Sequence, residues 1–149
     1  MLIVEQGDPR DPQAIALLRA SHTLMDSLFS PEDNHYLSTD DLCAPNIFYF
    51  IAREDNVILG CVALADKIEY GEIKFLYVQE DARGKGVANA LMRQIEDQAC
   101  ERKLPILRLE TGNLLAAALR LYSQHGFVEC KPFGDYTASA GSVFMEKRL

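Results

Sequence analysis

Four residues, Arg83-Gly84-Lys85-Gly86, carry the clearest chemical signal in this 149-residue chain. They follow a strand-like run, Ile73 to Val78, and open a helical pattern through Val87, Leu91, Ile95 and Ala99. Glycines at a helix start let backbone N–H groups approach a ligand closely, and that end of a helix favours negative charge. The chemistry implied is the seating of a phosphate-bearing cofactor. Two common versions of such a turn fail on single residues. A P-loop needs a hydroxyl residue after its lysine to serve magnesium, and Lys85 is followed by Gly86. A dinucleotide turn needs a third glycine so that helix and strand pack closely, and position 89 is asparagine. No metal is expected, because the three histidines are scattered and Cys43, Cys61, Cys100 and Cys130 form no Cys-x-x-Cys pair. Cys61 and Cys100 sit within apolar patterns and are expected as small reduced core residues.

The elements that must position this turn follow from length, composition and periodicity. The length suits one domain, residues 1–149, with a real core. Apolar content of 48% and charged content of 25% are those of a globular chain. No apolar run is long enough for a membrane span, and the N-terminal residues lack a secretory pattern, so a cytoplasmic setting is expected. The net charge of −7 argues against nucleic acid as a partner. Leu2 to Glu5 reads as a first strand. Asp11-Pro12 opens a helix on which Ile15, Leu18, His22, Met25 and Leu28 or Phe29 recur. A loop from Ser30 to His35 precedes a weaker helix at about 36–43. Ile47 to Arg53 and Val57 to Ala65 form a hairpin, and Gly71 to Val78 continues the meander. The helix after the glycine turn stops before Pro105, and Ile106 to Glu110 is the next strand. Strand, helix and strand in this order predict a right-handed crossover between parallel strands. A further helix bears Leu115, Ala118, Leu119 and Tyr122, with Asn113 as its expected cap and Gly126 at its end. Phe127 to Lys131 and Ser142 to Lys147 are the last strands. His125 is expected at the surface, and Glu5, Asp8, Glu32 and Asp33 as solvated charge.

Arg83-x-x-Gly86-x-Ala88 matches the Gln/Arg-x-x-Gly-x-Gly/Ala signature of the GNAT N-acetyltransferases. Ala118-x-x-Leu121-Tyr122-x-x-x-Gly126-Phe127 resembles a later element of that superfamily, correctly ordered one strand downstream. The resemblance covers nearly the whole chain. Ser30-Pro31-Glu32-x-Asn34-His35, Glu72-Ile73-Lys74 and Leu109-Glu110-Thr111-Gly112 are similar to a small, bacterial YsnE-like branch. Pro132-Phe133-Gly134-x-Tyr136 and Ser142-Val143-Phe144-Met145-Glu146-Lys147 share that likeness. The implied fold is α/β: a mixed sheet of about seven strands, mostly antiparallel. One parallel pair is splayed around the cofactor, and about four helices flank the sheet.

The resemblance also implies roles. Acetyl-CoA becomes the expected co-substrate, its diphosphate on Arg83, Gly84, Lys85, Gly86, Val87 and Ala88, and its pantetheine arm along Leu76, Tyr77 and Val78. The N–H of Leu76 is the expected oxyanion donor, and Tyr122 the acid at the leaving thiolate. Position 115 is leucine where the family usually offers asparagine, so the cofactor contact of that asparagine is not carried over. Glu72 resembles the general-base glutamate of the histone acetyltransferase branch, with an ion pair as the alternative role. Glu110 or water remain as other bases. Strand alternation would place Glu72 and Lys74 on one face with Leu76 and Val78. His35, Phe133 and Tyr136 lie where the acceptor pocket is usually built. The expected activity is acetyl transfer from acetyl-CoA to an amine, small or peptidic, by direct attack in a ternary complex. A non-catalytic acetyl-CoA-binding regulator is the alternative, and a homodimer stays open.

Overall fold

The computed structural model describes residues 1–30 and 37–149. Seven strands form one sheet: β1 (Leu2–Gln6), β2 (Ile47–Glu54), β3 (Val57–Asp66), β4 (Gly71–Val78), β5 (Ile106–Gly112), β6 (Val128–Glu129) and β7 (Ser142–Arg148). Their order is β1-β2-β3-β4-β5-β7-β6, and every neighbour is antiparallel except β4 with β5. Four helices accompany them: α1 (Pro12–Leu28), α2 (Thr39–Leu42), α3 (Val87–Glu101) and α4 (Ala116–Gln124). The mixed seven-stranded architecture expected from the sequence is the one that forms.

The helices cover both faces of the sheet. Val87, Leu91, Met92, Ile95 and Ala99 of α3 pack with Phe50, Ala52, Val62, Leu64 and Ile73. Ala14, Leu17 and Leu18 of α1 pack with Tyr49, Ile51, Cys61 and Ala63 on the opposite face. Each such large side chain, fully buried, contributes about 1.5–3 kcal/mol. The Asp11 carboxylate accepts from the Gln13 N–H at 2.8 Å, with Pro12 beginning the helix, as the sequence signals.

Local expectations change in several places. The buried face of α1 is Ala14, Leu17, Leu18 and Ser21, which leaves Ile15, His22 and Met25 only partly covered. The expected helix at about 36–43 is a single turn, closed by reciprocal bonds between Ser38 and Asp41. Cys61 is buried, but Cys100 is exposed, because it lies beside the α3 stripe that ends at Ala99. The strand expected over Phe127 to Lys131 shrinks to Val128–Glu129. The Phe127 N–H closes α4 on Tyr122 O at 3.0 Å, and Pro132 offers no N–H. Asn113 does not cap α4, whose cap residue is Leu115. The Asn113 side chain instead donates to Ala140 O.

Candidate functional site

The turn between β4 and α3 is built for free N–H groups. A short 3-10 turn, Glu80–Ala82, is pinned by the buried Ala82. Gly84 and Gly86 then take φ of +80° and +81°, left-handed values that glycine adopts at little cost. A Cβ at either position would meet nothing within 4 Å, so glycine is required here for backbone direction, not for space. The first intrahelical bond of α3 runs from Ala90 N to Gly86 O at 3.1 Å. The N–H groups of Val87, Ala88 and Asn89 therefore point out of the helix end, where an anion is favoured. Arg83 donates to Val78 O at 3.3 Å and lies over the Tyr77 ring, and Lys85 is exposed beside the turn.

The sheet opens next to this turn. Parallel pairing holds only from Gly71–Leu107 to Ile73–Leu109. One residue further on, β4 slips its register against β3. Leu64 opposes Ile73, but Ala63 opposes Phe75, and Lys74 forms a bulge. The bulge corrects the expected alternation. Leu76 and Val78 join the α3 core with Ile73, whereas Phe75 and Tyr77 lie on the α1 face with Glu72. Between the end of β4 and α4 lies a cleft of about 660 Å³, walled by Leu76–Val78, the glycine turn, α4 and Ser21, Leu24 and Met25 of α1. A smaller pocket of about 140 Å³ adjoins it, and Met25, Leu76, Leu115 and Ala118 line both.

The smaller pocket gathers the ionisable groups. Tyr122, 6% exposed, reaches it from α4, and burial pushes its phenol well above the ordinary tyrosine value. Glu110 lines it from the end of β5 and accepts from Ser142 Oγ at 2.8 Å, with Ser139 donating to Ser142 in turn. Lys74 and His22 also line it.

Glu72 is 3% exposed and is not part of that lining. Its Oε2 accepts from the Tyr136 hydroxyl at 2.6 Å, and Lys74 Nζ lies 3.3 Å from the same oxygen. Lys74 also donates to the Tyr136 hydroxyl at 3.1 Å. Burial and the adjoining Glu72 carboxylate push the Tyr136 phenol far up, so it remains a donor. Phe133 is buried among Tyr70, Tyr136 and Phe144 in edge-on contacts, away from the pocket lining. His35 lies outside the described residues.

Residues that line these two spaces but had no site role in the sequence reading include His22, Met25, Phe29, Lys74 and Asn89. A histidine on an otherwise apolar stripe of α1 is the one signal that marks His22 in advance. His125 is half-buried, not at the surface, and its Nε2 bonds Asn89 Oδ1 at 2.9 Å. Among the described residues no group of three His, Cys, Asp or Glu side chains is placed to hold a metal. No helix there is long and apolar enough to cross a membrane.

The sequence and the fold resemble those of known proteins. Residues 15–127 match the model of the acetyltransferase (GNAT) family. The chain is 35% identical over 148 residues to an IAA acetyltransferase of Azospirillum brasilense, covering 98% of this chain and 97% of that one. It is 34% identical over 140 residues to the uncharacterised N-acetyltransferase YsnE of Bacillus subtilis, covering 92% and 93%. The fold superimposes with a TM-score of 0.82 on the PaiA N-acetyltransferase of Thermoplasma acidophilum in complex with coenzyme A. That match is 17% identical and covers 100% and 99% of the two chains. The chain therefore belongs to the GNAT family, as an N-acetyltransferase on a fold that binds acyl-CoA.

Proposed function

We propose that the protein moves acetyl from acetyl-CoA to the nitrogen of an amine, by direct attack in a ternary complex. The observation that carries this is the adjoining of two spaces across Leu76: a long cleft that begins at the anion-seeking turn, and a small pocket holding Tyr122 and Glu110. The residues present fit acetyl-CoA. Three outward N–H groups and the nearby Arg83 and Lys85 suit a diphosphate. The exposed polar edges of Leu76, Tyr77 and Val78, beyond the end of parallel pairing, suit an extended amide-bearing arm. When bound, acetyl-CoA supplies an activated thioester.

The chain's own groups then divide the work. The N–H of Leu76 stabilises charge on the carbonyl oxygen. The Tyr122 phenol, whose affinity for its proton is raised by burial, stays protonated and donates toward sulfur as negative charge leaves. Glu110 accepts the proton of the attacking amine, since it lines the pocket directly and its neighbour Ser142 keeps one oxygen oriented. Glu72, already bonded to Tyr136 and Lys74, orients those two groups on the acceptor side. In this scheme Tyr136 shapes the acceptor pocket through Lys74, which lines it, and Phe133 supports Tyr136 from behind. His35 is kept as a proposed acceptor-binding residue outside the described residues.

The test is an acceptor panel with acetyl-CoA as donor, followed by release of free thiol. The panel spans small amines, amino acids, peptide N-termini and lysine, with IAA included because a relative is named for it. Turnover with at least one acceptor is expected. Tyr122→Phe should lower kcat by about 10²-fold or more, with affinity for CoA within about two-fold of wild type. No thiol release above the rate of hydrolysis with any acceptor would overturn the proposal, and an unimpaired Tyr122→Phe enzyme would remove the acid.

A further inference from the structure

Beyond the Ile73–Leu109 pair the sheet separates into two parts. One is β1–β4, against which α3 packs, and the other is β5, β7 and β6, followed in the chain by or bearing α4. On the α3 side, two side-chain hydrogen bonds among the described residues span that seam: Asn89 with His125, and Glu96 with Lys147. The first of these joins two parts of the candidate site. Asn89 is the third residue of α3, so its backbone N–H is one of the three outward donors, and it lines the cleft. His125 caps α4, with its N–H bonded to Leu121 O and Tyr122 O at 3.1 Å each. Its ring is therefore anchored three residues after Tyr122. Burial holds the imidazole below its ordinary value, Lys147 and Arg93 add to this, and Glu96 opposes it. The neutral ring with its proton on Nε2 donates to Asn89 Oδ1.

We infer that the Asn89–His125 hydrogen bond positions α3 against α4, so that a CoA phosphate on the turn and a thioester beside Tyr122 are held in register. The inference rests on the acetyl-CoA reading above. Asn89 acts through its side chain and His125 through its ring; both are positioning residues, and neither side chain touches reacting atoms.

The experiment measures CoA affinity by calorimetry on the full chain, KM for acetyl-CoA and for acceptor, and thermal stability. Asn89→Ala and His125→Ala should each weaken CoA binding about 5-fold, the scale of one lost hydrogen bond. KM for acetyl-CoA should rise in step, while acceptor KM stays within about two-fold. The double variant should be no worse than either single one, because one contact is lost only once. His125→Gln, whose amide donates to Asn89, should restore affinity; it also serves if His125→Ala does not fold. Unchanged CoA affinity in the single variants would overturn the inference. So would multiplying losses in the double variant, or a glutamine variant as weak as the alanine one. A wild-type protein that binds no CoA would sink the parent reading instead, and is seen in the same titration.

Discussion

Gly86→Ala isolates what the glycine turn before α3 costs to build. Gly86 sits at φ +81° and ψ 9°, and an added Cβ meets no atom within 4 Å. Steric collision is therefore absent, and only the backbone conformation matters. A left-handed alanine costs about 1–2 kcal/mol. The lower entropy of the unfolded alanine chain offsets about 0.4–1 kcal/mol of this. The net loss is about 1 kcal/mol, or roughly five-fold in an equilibrium constant. It has two places to go. If the turn keeps its shape, unfolding free energy falls and CoA affinity is kept. If the turn relaxes, the N–H groups of Val87 to Asn89 lose their aim and affinity falls instead. The quantity that should drop by about 1 kcal/mol in both cases is the unfolding free energy at saturating, fixed CoA, since it contains both contributions. Urea unfolding with and without CoA, alongside calorimetric titration, separates the two routes. Gly84→Ala, at φ +80° with equally open space, should behave alike. Holo stability equal to that of wild type would refute the reasoning. So would a loss above about 3 kcal/mol, which a left-handed alanine alone does not produce.

Other perturbations read other parts of the structure. Gly112→Ala would drive a Cβ into the Phe29 ring; thermal unfolding should show a loss of about 1–3 kcal/mol, relieved by adding Phe29→Ala. Met92→Ala, at a fully buried position, should cost about 2–5 kcal/mol by urea unfolding. Glu110→Gln should lower kcat by about 10²-fold, whereas Glu72→Gln should act mainly on acceptor KM; the reverse pattern would exchange their roles. Because His125 is held below 6.5 in the folded state, the unfolded chain binds more protons as pH falls through that value. Stability should then decline below about pH 6.5 and level off below the folded value, and His125→Gln should lose that part of the slope.

Periodicity revealed the frame of this fold because it is local. β4 occupies the expected Gly71–Val78, and the two positive-φ glycines stand at the start of α3. What depended on a partner was harder to read. A bulge at Lys74 exists only relative to β3, so alternation along β4 alone mis-assigned the faces of Leu76 and Val78. Asn89 and His125 are 36 residues apart, and nothing in either neighbourhood announces their bond. Cys100 differs from Ala99 by one position on a helix, which is the difference between exposed and buried. Glu72 and Glu110 were both visible as carboxylates near strand ends. Glu110 lines the pocket and Glu72 does not; Glu72 is instead bonded to Tyr136, 64 positions away, a partner its own neighbourhood does not announce.

The bulge at Lys74 gives β4 two reading frames. Upstream of it, the phase of the strand assigns Glu72 to the α1 face; downstream, the opposite phase assigns Leu76 and Val78 to the α3 core. One strand thereby serves two clients with separate demands on which side each residue faces. Residue 74 is the one residue of the strand without a partner on β3. Joining Ile73 directly to Phe75 would restore plain alternation and leave Phe75 to Val78 on the faces they now occupy. The extra residue thus adds a side chain, Lys74 beside Glu72 and Tyr136, without disturbing the pairing on either side of it.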